Sequence, residues 1–569
     1  MLERKAKLVN KAFRQYLWAS VLTVAATQIA NIVDAMIVGN LVGADGLAAV
    51  NLSKPVLQAF FAISCFYVAS STMLAGMAIG KGDREKANRL FTFSLKVSLT
   101  LGLLFTAAGL LCFGPLSSFL CPSEKLRPLS DAFLRITLIS AAPQLLMLTI
   151  QQYVTMDGEP KRVSAAVITG NLFNIVLDIV FIKYCGWGIA GAAAATCTMY
   201  IVCILMVLPH FRRKDSLRLC PVKMKDIEVG RIATIGLPLF FSTVLLSVQF
   251  IGNNYVAGRF LGDDGLVALA VCMQLFAFSM IILTGTLRTI QPVGAILKGM
   301  DDSRGMLMLV KRGYRFMAIC FAIYAALLIL FPTQIAGALG VKSGSGLLAV
   351  KAALPLFSLH IVLQGMFCLL LPVFQFYDRK GLALLLSIAQ TLLPMLFFLL
   401  LRGNWAGFVT GQLLTGLTIL VWGMLLRRKD RSLSPFLLIP MKDGAKLLDI
   451  TVQADTTSLS EAVAALRSFL AAGGAGARET NIAAVCTEEF VNNIIRHGHA
   501  SSIDLAASVD GATIRISIHD DGAPFNPAAA IKSQDAKIGL GLTLADAFCN
   551  EIDYKYIFNQ NMVRLSLPC

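Results

Sequence analysis

The chain is 569 residues long, 56% hydrophobic and only 15% charged, with a formal net charge of +16. Soluble domains carry about 25% charged residues, so a purely water-soluble protein is excluded and most of this chain is expected in a bilayer. The basic excess belongs to the first three quarters. Residues 441–569 hold 10 basic against 15 acidic residues, which argues against nucleic-acid binding by the polar C-terminal part.

The basic start (Arg4, Lys5, Lys7, Lys11, Arg14) leads into an apolar stretch too long for a signal-peptide core and without a clean cleavage site, so it reads as a first membrane helix. Candidate spans follow near 15–40, 54–80, 90–113, 133–156, 163–183 and 187–209. A second set lies near 232–258, 268–296, 313–332, 352–376, 381–401 and 405–426, giving twelve. Lys and Arg concentrate on one side: roughly 29 fall in the loops that share a side with the N-terminus and about seven in the others, which places both termini in the cytosol. The 13 cysteines, such as Cys65 and Cys203, sit in apolar segments with no CxxC or metal spacing and read as small apolar residues.

The two sets of six are related. Val38-Gly39-Asn40-Leu41-Val42-Gly43-Ala44-Asp45-Gly46-Leu47 returns as Ala257-Gly258-Arg259-Phe260-Leu261-Gly262-Asp263-Asp264-Gly265-Leu266. Ala78-Ile79-Gly80-Lys81-Gly82-Asp83 returns as Ala295-Ile296-Leu297-Lys298-Gly299, with Asp301 just after. Repeated halves with binding near the midplane between them are the architecture of secondary transporters.

Acidic residues within spans are expensive and mark ion pathways. Asp34 in span 1 and Asp178 in span 5 qualify, with Asn174 one turn before Asp178 on the same helical face. The alternative for each is a carboxylate buried against a basic partner for structure alone. The second half has Asn253 where the first has Asp34, so coupling is expected to run through the N-terminal half. Gln249, Asn253 and Arg288 are candidates for a polar cavity in the second half, or for interhelical hydrogen bonds.

The Asn31-Ile32-Val33-Asp34-Ala35-Met36-Ile37-Val38-Gly39 segment, the Lys81-Gly82-Asp83 loop, the Asp157-Gly158-Glu159-Pro160-Lys161 turn and Asn174-Ile175-Val176-Leu177-Asp178 together resemble the multidrug and toxic compound extrusion (MATE) family over residues 10–430. The resemblance implies two six-helix lobes (1–210 and 211–431) that export amphipathic, in part cationic, organic compounds in exchange for Na⁺ or H⁺ across the inner membrane. Asp34, Asn174 and Asp178 match its cation or proton site.

After the Arg427–Arg431 cluster and a Pro-bounded linker (432–446), the pattern changes to a soluble α/β domain (447–569). A strand at 448–452, helices at 458–472 and 479–497, and strands at 502–509, 513–519, 552–558 and 562–567 predict helices layered on a mostly antiparallel sheet. Three motifs stand in order: Glu489-Phe490-Val491-Asn492-Asn493, Asp520-Asp521-Gly522 and Gly539-Leu540-Gly541-Leu542. They resemble the histidine-kinase-like (GHKL) ATP-binding domain, and within it the anti-sigma-factor serine kinases. The resemblance implies ATP and Mg²⁺ as ligands. Asn493 would hold Mg²⁺, and Glu489 would orient or deprotonate a hydroxyl or water. Asp520 would meet the adenine amino group beside Gly522, with Gly539 and Gly541 presenting backbone N–H groups to phosphates.

Three functions remain open at this level. The first is a cation-coupled exporter whose cytosolic domain regulates transport or signals. The second is a membrane-bound protein-serine kinase or ATPase, with an anti-sigma-antagonist-like partner and the transporter fold as sensor. The third is a nucleotide-sensing module without turnover. Powering of transport by the domain is disfavoured, because no Gly-x4-Gly-Lys-Ser/Thr loop is present.

Overall fold

The computed structural model of the chain describes residues 4–441 and 447–569, except 122–123, 125, 214–215, 340, 342–343, 454, 511–512 and 528–545. The first half contains α1 (Lys7–Leu41), α2 (Ala44–Lys81), α3 (Arg84–Leu111), a short α4 (Phe113–Leu120), α5 (Arg127–Ile139) and α6 (Ala141–Met156). It continues with α7 (Pro160–Ile179), which runs into a π-helical turn, and α8 (Gly188–Val207). The second half contains α9 (Val229–Gly299), α10 (Ser303–Leu330), α11 (Pro332–Ala338), α12 (Ser345–Cys368), α13 (Leu370–Phe376), α14 (Lys380–Leu400) and α15 (Ala406–Lys429).

Among the described residues, ten helices are long and apolar enough to cross a membrane, and α5 with α6, bent by 48°, forms an eleventh span. The long α9 is not straight. Gly262, at φ 66° and ψ −158°, folds it into two arms, 229–261 and 263–299, which completes the twelve. Its counterpart in the first half, Gly43 at φ 96° and ψ −179°, makes the same turn between α1 and α2. Both conformations are open to glycine and strained for other residues, which is why the repeat keeps this position. Span 2 begins ahead of its expected start because α2 continues beyond the apolar stretch to Ala44.

The second repeated motif is a pair of helix starts. Gly82 (φ 92°) closes α2, and Asp83 caps α3 by accepting a hydrogen bond from the Lys86 amide at 2.8 Å. In the second half Asp302, one residue beyond the expected Asp301, caps α10 through the Gly305 amide at 2.7 Å. In the turn before α7, Asp157 contacts His210 Nε2 at 2.8 Å and accepts from the Leu217 amide at 3.1 Å, tying down the connection that follows α8.

Small residues let the halves touch. A Cβ on Gly76 would lie 2.7 Å from that of Ala295, one on Gly285 would lie 2.7 Å from Val21, and Gly236 passes beneath the Phe66 carbonyl. Such close backbone approach gains dispersion energy that bulkier side chains would forfeit in a lipid setting.

The C-terminal domain has β1 (Leu448–Val452), α16 (Thr456–Ala472), α17 (Ala477–Asn493) with a π-turn at Ile494–Gly498, β2 (Ile503–Asp510), β3 (Thr513–Asp520), β4 (Glu551–Ile557) and β5 (Gln560–Pro568). The sheet order is β1-β2-β3-β5-β4, and every pairing is antiparallel. Alternation along β3 explains the layering. Ile514, Ile516 and Ile518 join the core with Leu466, Leu470, Ala483 and Phe490 of α16 and α17. Arg515, Ser517 and His519 take the opposite face, on a cavity of about 250 Å³ shared with Met300 and Asp302 of the membrane part.

Candidate functional sites

The first site lies inside the N-terminal half. A cavity of about 460 Å³ is walled by Asp34 and Asn31 of α1, Phe61 of α2, Gln144 and Gln151 of α6, Asn171 and Asn174 of α7, and Tyr200 of α8. This volume is within the range of small-molecule sites. Asp178 is fully buried behind this wall. Neither of its oxygens has a hydrogen-bond partner among the described residues, and Asp34 is the charged group nearest enough to act on its carboxyl. Two carboxyls close together in a water-poor interior repel each other when both are ionised, and acidic residues at membrane depth are costly to keep there.

The structure brings Asp34, Asn174 and Asp178 together as the sequence predicted, and adds three amides. Gln144 Oε1, Gln151 Nε2 and the Nδ2 atoms of Asn171 and Asn174 are all buried without a hydrogen-bond partner among the described residues. The Gln144 and Gln151 spacing on one span, seven residues apart and thus on one helical face, was the signal that could have found two of them. Arg288 departs from its expected place. It projects from the second arm of α9 into this N-terminal cavity rather than into one of the second half, because that arm packs against both α1 and α2. Gln249 and Asn253 are buried within the second half and do not line the cavity. Both polar atoms of the Asn253 amide lack a partner.

The second site is in the C-terminal domain. Asp520 ends β3 almost fully buried, and its Oδ1 accepts from the Gly522 amide at 2.8 Å and from Asn561 Nδ2 at 2.9 Å. Burial raises its pKa, and these hydrogen bonds oppose the rise. Asn561, which sequence reasoning missed, is the hub. Its Oδ1 accepts from Tyr554 Oη at 2.8 Å and from the Phe525 amide at 3.2 Å, and its Nδ2 also donates to the Ala523 carbonyl at 2.9 Å. An amide just ahead of the alternating β5 run Met562–Leu567 was its only mark in the sequence.

Gly522 is required by packing, since a Cβ there would strike the Gly498 carbonyl. Glu489 and Asn493 are half-buried one turn apart on α17, with Glu488 and His497 exposed. Asn493 keeps its amide free of partners among the described residues. An acceptor at a strand end, an unengaged amide and a carboxylate one turn from it fit a nucleotide with its Mg²⁺. Gly539 and Gly541 lie outside the described residues.

With this geometry in place, comparison with known proteins is decisive. Residues 19–180 match the MatE family model, and residues 452–567 match the histidine kinase-like ATPase domain. The MatE match is thus confined to residues 19–180 and the ATPase-domain match to residues 452–567. The MatE part is similar to the multidrug export protein MepA of Staphylococcus haemolyticus (strain JCSC1435), 23% identical over 269 residues, covering 47% of this chain and 59% of that protein. It is also similar to MepA of Staphylococcus aureus (strain NCTC 8325 / PS 47), 21% identical over 471 residues, covering 80% of this chain and 97% of that one.

Solved structures share the MatE fold. A MOP superfamily transporter from Pyrococcus furiosus superposes with a TM-score of 0.65 at 22% identity, covering 75% of this chain and 98% of that chain. A multidrug resistance MATE family transporter in an outward-facing conformation gives a TM-score of 0.66 at 21% identity, over 75% and 99%.

Proposed function

We propose that this chain is a cation-coupled antiporter of the cytoplasmic membrane that exports amphipathic organic compounds, with a cytosolic domain that binds ATP and Mg²⁺ and regulates transport. The observation that carries the reading is Asp34 on the wall of the N-terminal cavity with the buried Asp178 carboxyl behind it. When ionised, the pair attracts a cationic head group. When a proton or Na⁺ occupies it, that attraction is lost, and this competition is what antiport requires. Phe61, Met147, Leu148 and Met199 on the same wall offer apolar, polarizable contact to the rest of an amphipathic compound.

Coupling residues in this reading are Asp34, Asp178 and Asn174. Asn493 holds Mg²⁺, Asp520 recognises the adenine and Glu489 orients the hydroxyl or water. Bound Mg²⁺ neutralises phosphate charge.

The test is efflux of a cationic dye from proteoliposomes under an imposed H⁺ or Na⁺ gradient. Efflux should be lost in Asp34→Asn and Asp178→Asn and should persist in Glu489→Ala. Efflux driven by ATP with no ion gradient would refute the antiporter.

A further inference from the structure

The two machines are fastened together at one place, where the halves of the transporter meet. At the end of the membrane part nearest the C-terminal domain, Gly80 of α2 and Gly299 of α9 press against each other across the seam. The domain holds both sides of that seam. On the first half, Lys555 Nζ donates to the Gly80 carbonyl at 3.2 Å and Gln560 Nε2 to the Leu8 carbonyl at 2.9 Å. On the second half, Arg564 donates to the Met300 carbonyl at 3.5 Å. Arg4 ties the two together, pairing with Asp302 at 2.8 Å and with Asp504 of β2 at 3.2 Å.

The tip of the β4–β5 hairpin is the tightest point. Phe558 (φ 62°) and Asn559 (φ 56°) are the two central residues of the turn. Positive φ at both is the backbone of a tight hairpin, normally supplied by Asn-Gly, and a bulky aromatic there is strained. A hairpin tip is also normally wet. This one is buried, with Phe558 only 3% exposed and packed edge-on against Tyr16 of α1 at 5.4 Å. The strain is kept because the aromatic ring plugs the membrane part, and such retained strain points to function.

A direct line runs from the seam to the nucleotide site. Asp521, next to Asp520, accepts from Lys11 Nζ of α1 at 2.8 Å, from Ser501 Oγ at 2.7 Å and from the Ser501 amide at 2.7 Å. Lys7 Nζ donates to the Ser501 carbonyl at 2.8 Å. The loop that frames the adenine position is thus bound to the first transport helix by two lysines.

We propose that the C-terminal domain is a nucleotide-controlled staple that holds the near ends of the two lobes shut. Opening of the transporter on this side requires Gly80 and Gly299 to part, and the docked domain resists by gripping both. The nucleotide tightens the grip, because it adds negative charge to an acidic domain resting on the basic start of α1. This proposal rests on the regulatory reading above and specifies how the regulation acts.

The experiment is hydrogen exchange on the full chain in lipid nanodiscs, with and without an ATP analogue that is not hydrolysed, while nucleotide binding is followed separately by fluorescence. It needs no transport, so it stands or falls independently of export. Segments 77–82 and 297–302 should exchange about tenfold faster in Phe558→Asn, a change that also relieves the turn. The nucleotide should slow both segments in the unaltered chain. Lys11→Ala should bind nucleotide yet lose that slowing. Faster exchange confined to the hairpin in Phe558→Asn, or bound nucleotide that leaves the seam unchanged or speeds it, would overturn the proposal. If no nucleotide binds at all, the regulatory reading itself falls, whatever Phe558→Asn does to the seam.

Discussion

Counted back from the helix caps Asp83 and Asp302 rather than along the repeated motif, Gly80 and Gly299 occupy the same place in the two halves, and they meet each other, so that a Cβ built on either lies 2.7 Å from the Cα of its partner. The pseudo-symmetry of the duplicated halves is therefore closed by a contact between equivalent residues. Gly80→Val and Gly299→Val should each destabilise this closed form by about 1–3 kcal/mol, the usual penalty for overpacking. Gly39→Ala, inside α1 with open space around it, is the control and should not lower stability but raise it by about 0.5–1 kcal/mol. Thermal unfolding midpoints in detergent provide the check.

Asn253 is the second half's answer to Asp34, buried with both amide atoms unpartnered. Replacing an unsatisfied buried amide by an apolar side chain removes a desolvation penalty of about 1–3 kcal/mol. Asn253→Leu should therefore raise the unfolding midpoint, and on the proposed coupling through the other half efflux should survive. A fall in the midpoint would show that the amide has a partner of its own.

Arg288 contributes a cation to the cavity that holds Asp34. Like charges repel strongly where water is scarce, so the guanidinium discriminates against compounds with a second positive group and favours zwitterions. Arg288→Met should lower the KM for dicationic compounds and raise it for zwitterionic ones, measured side by side in proteoliposomes.

Asn561 holds Asp520, Ala523, Tyr554 and Phe525 in register. Asn561→Ala should weaken nucleotide binding about tenfold, the effect of one or two lost hydrogen bonds of ~1 kcal/mol each. Titration of a fluorescent nucleotide onto the full chain measures this.

The interface also has a pH signature in which two groups oppose each other. Burial lifts Asp449 to about 6, against the pull of Arg4, from an ordinary 3.8. Its contribution to docking is full at low pH and fades as pH rises through 6. Burial, with Arg4 beside it, depresses His519 from 6.5 to about 4, so its contribution is present above 6.5 and fades on acidification toward 4. Between pH 4 and 6 the two offset each other. Asp449→Asn should leave a domain that loosens on acidification in that window, and His519→Asn one that tightens. Midpoints recorded across pH 4–7 would reveal either slope.

Much of this was legible in the sequence, for identifiable reasons. Long apolar runs set the spans, and the repeated glycine at positions 43 and 262 announced both hairpin turns, because few other residues adopt that backbone. Alternation along residues 513–520 set the face of β3. The bend between α5 and α6 had one mark, Pro143, which cannot bond the Ile139 carbonyl where α5 ends, but apolar periodicity continuing through Ser140 hid it. The placement of Arg288 was equally hidden: it depends on how one half packs on the other, and no local pattern records that. Asn561 stayed hidden because a single amide in a strand carries no period.

The ion pairs of Arg4 have a consequence for how the chain is made. Arg4 and Asp504 stand 500 positions apart. At about 5–20 residues per second, a ribosome needs on the order of a minute to reach the second after finishing the first. For that interval the first helix waits in the bilayer with its basic end exposed and Tyr16 uncovered. The late-made hairpin is what finally covers them. Newly made chains should therefore pass through a stage in which this face is open to chaperones or to anionic lipid, and maturation of the transporter is set by the pace of translation.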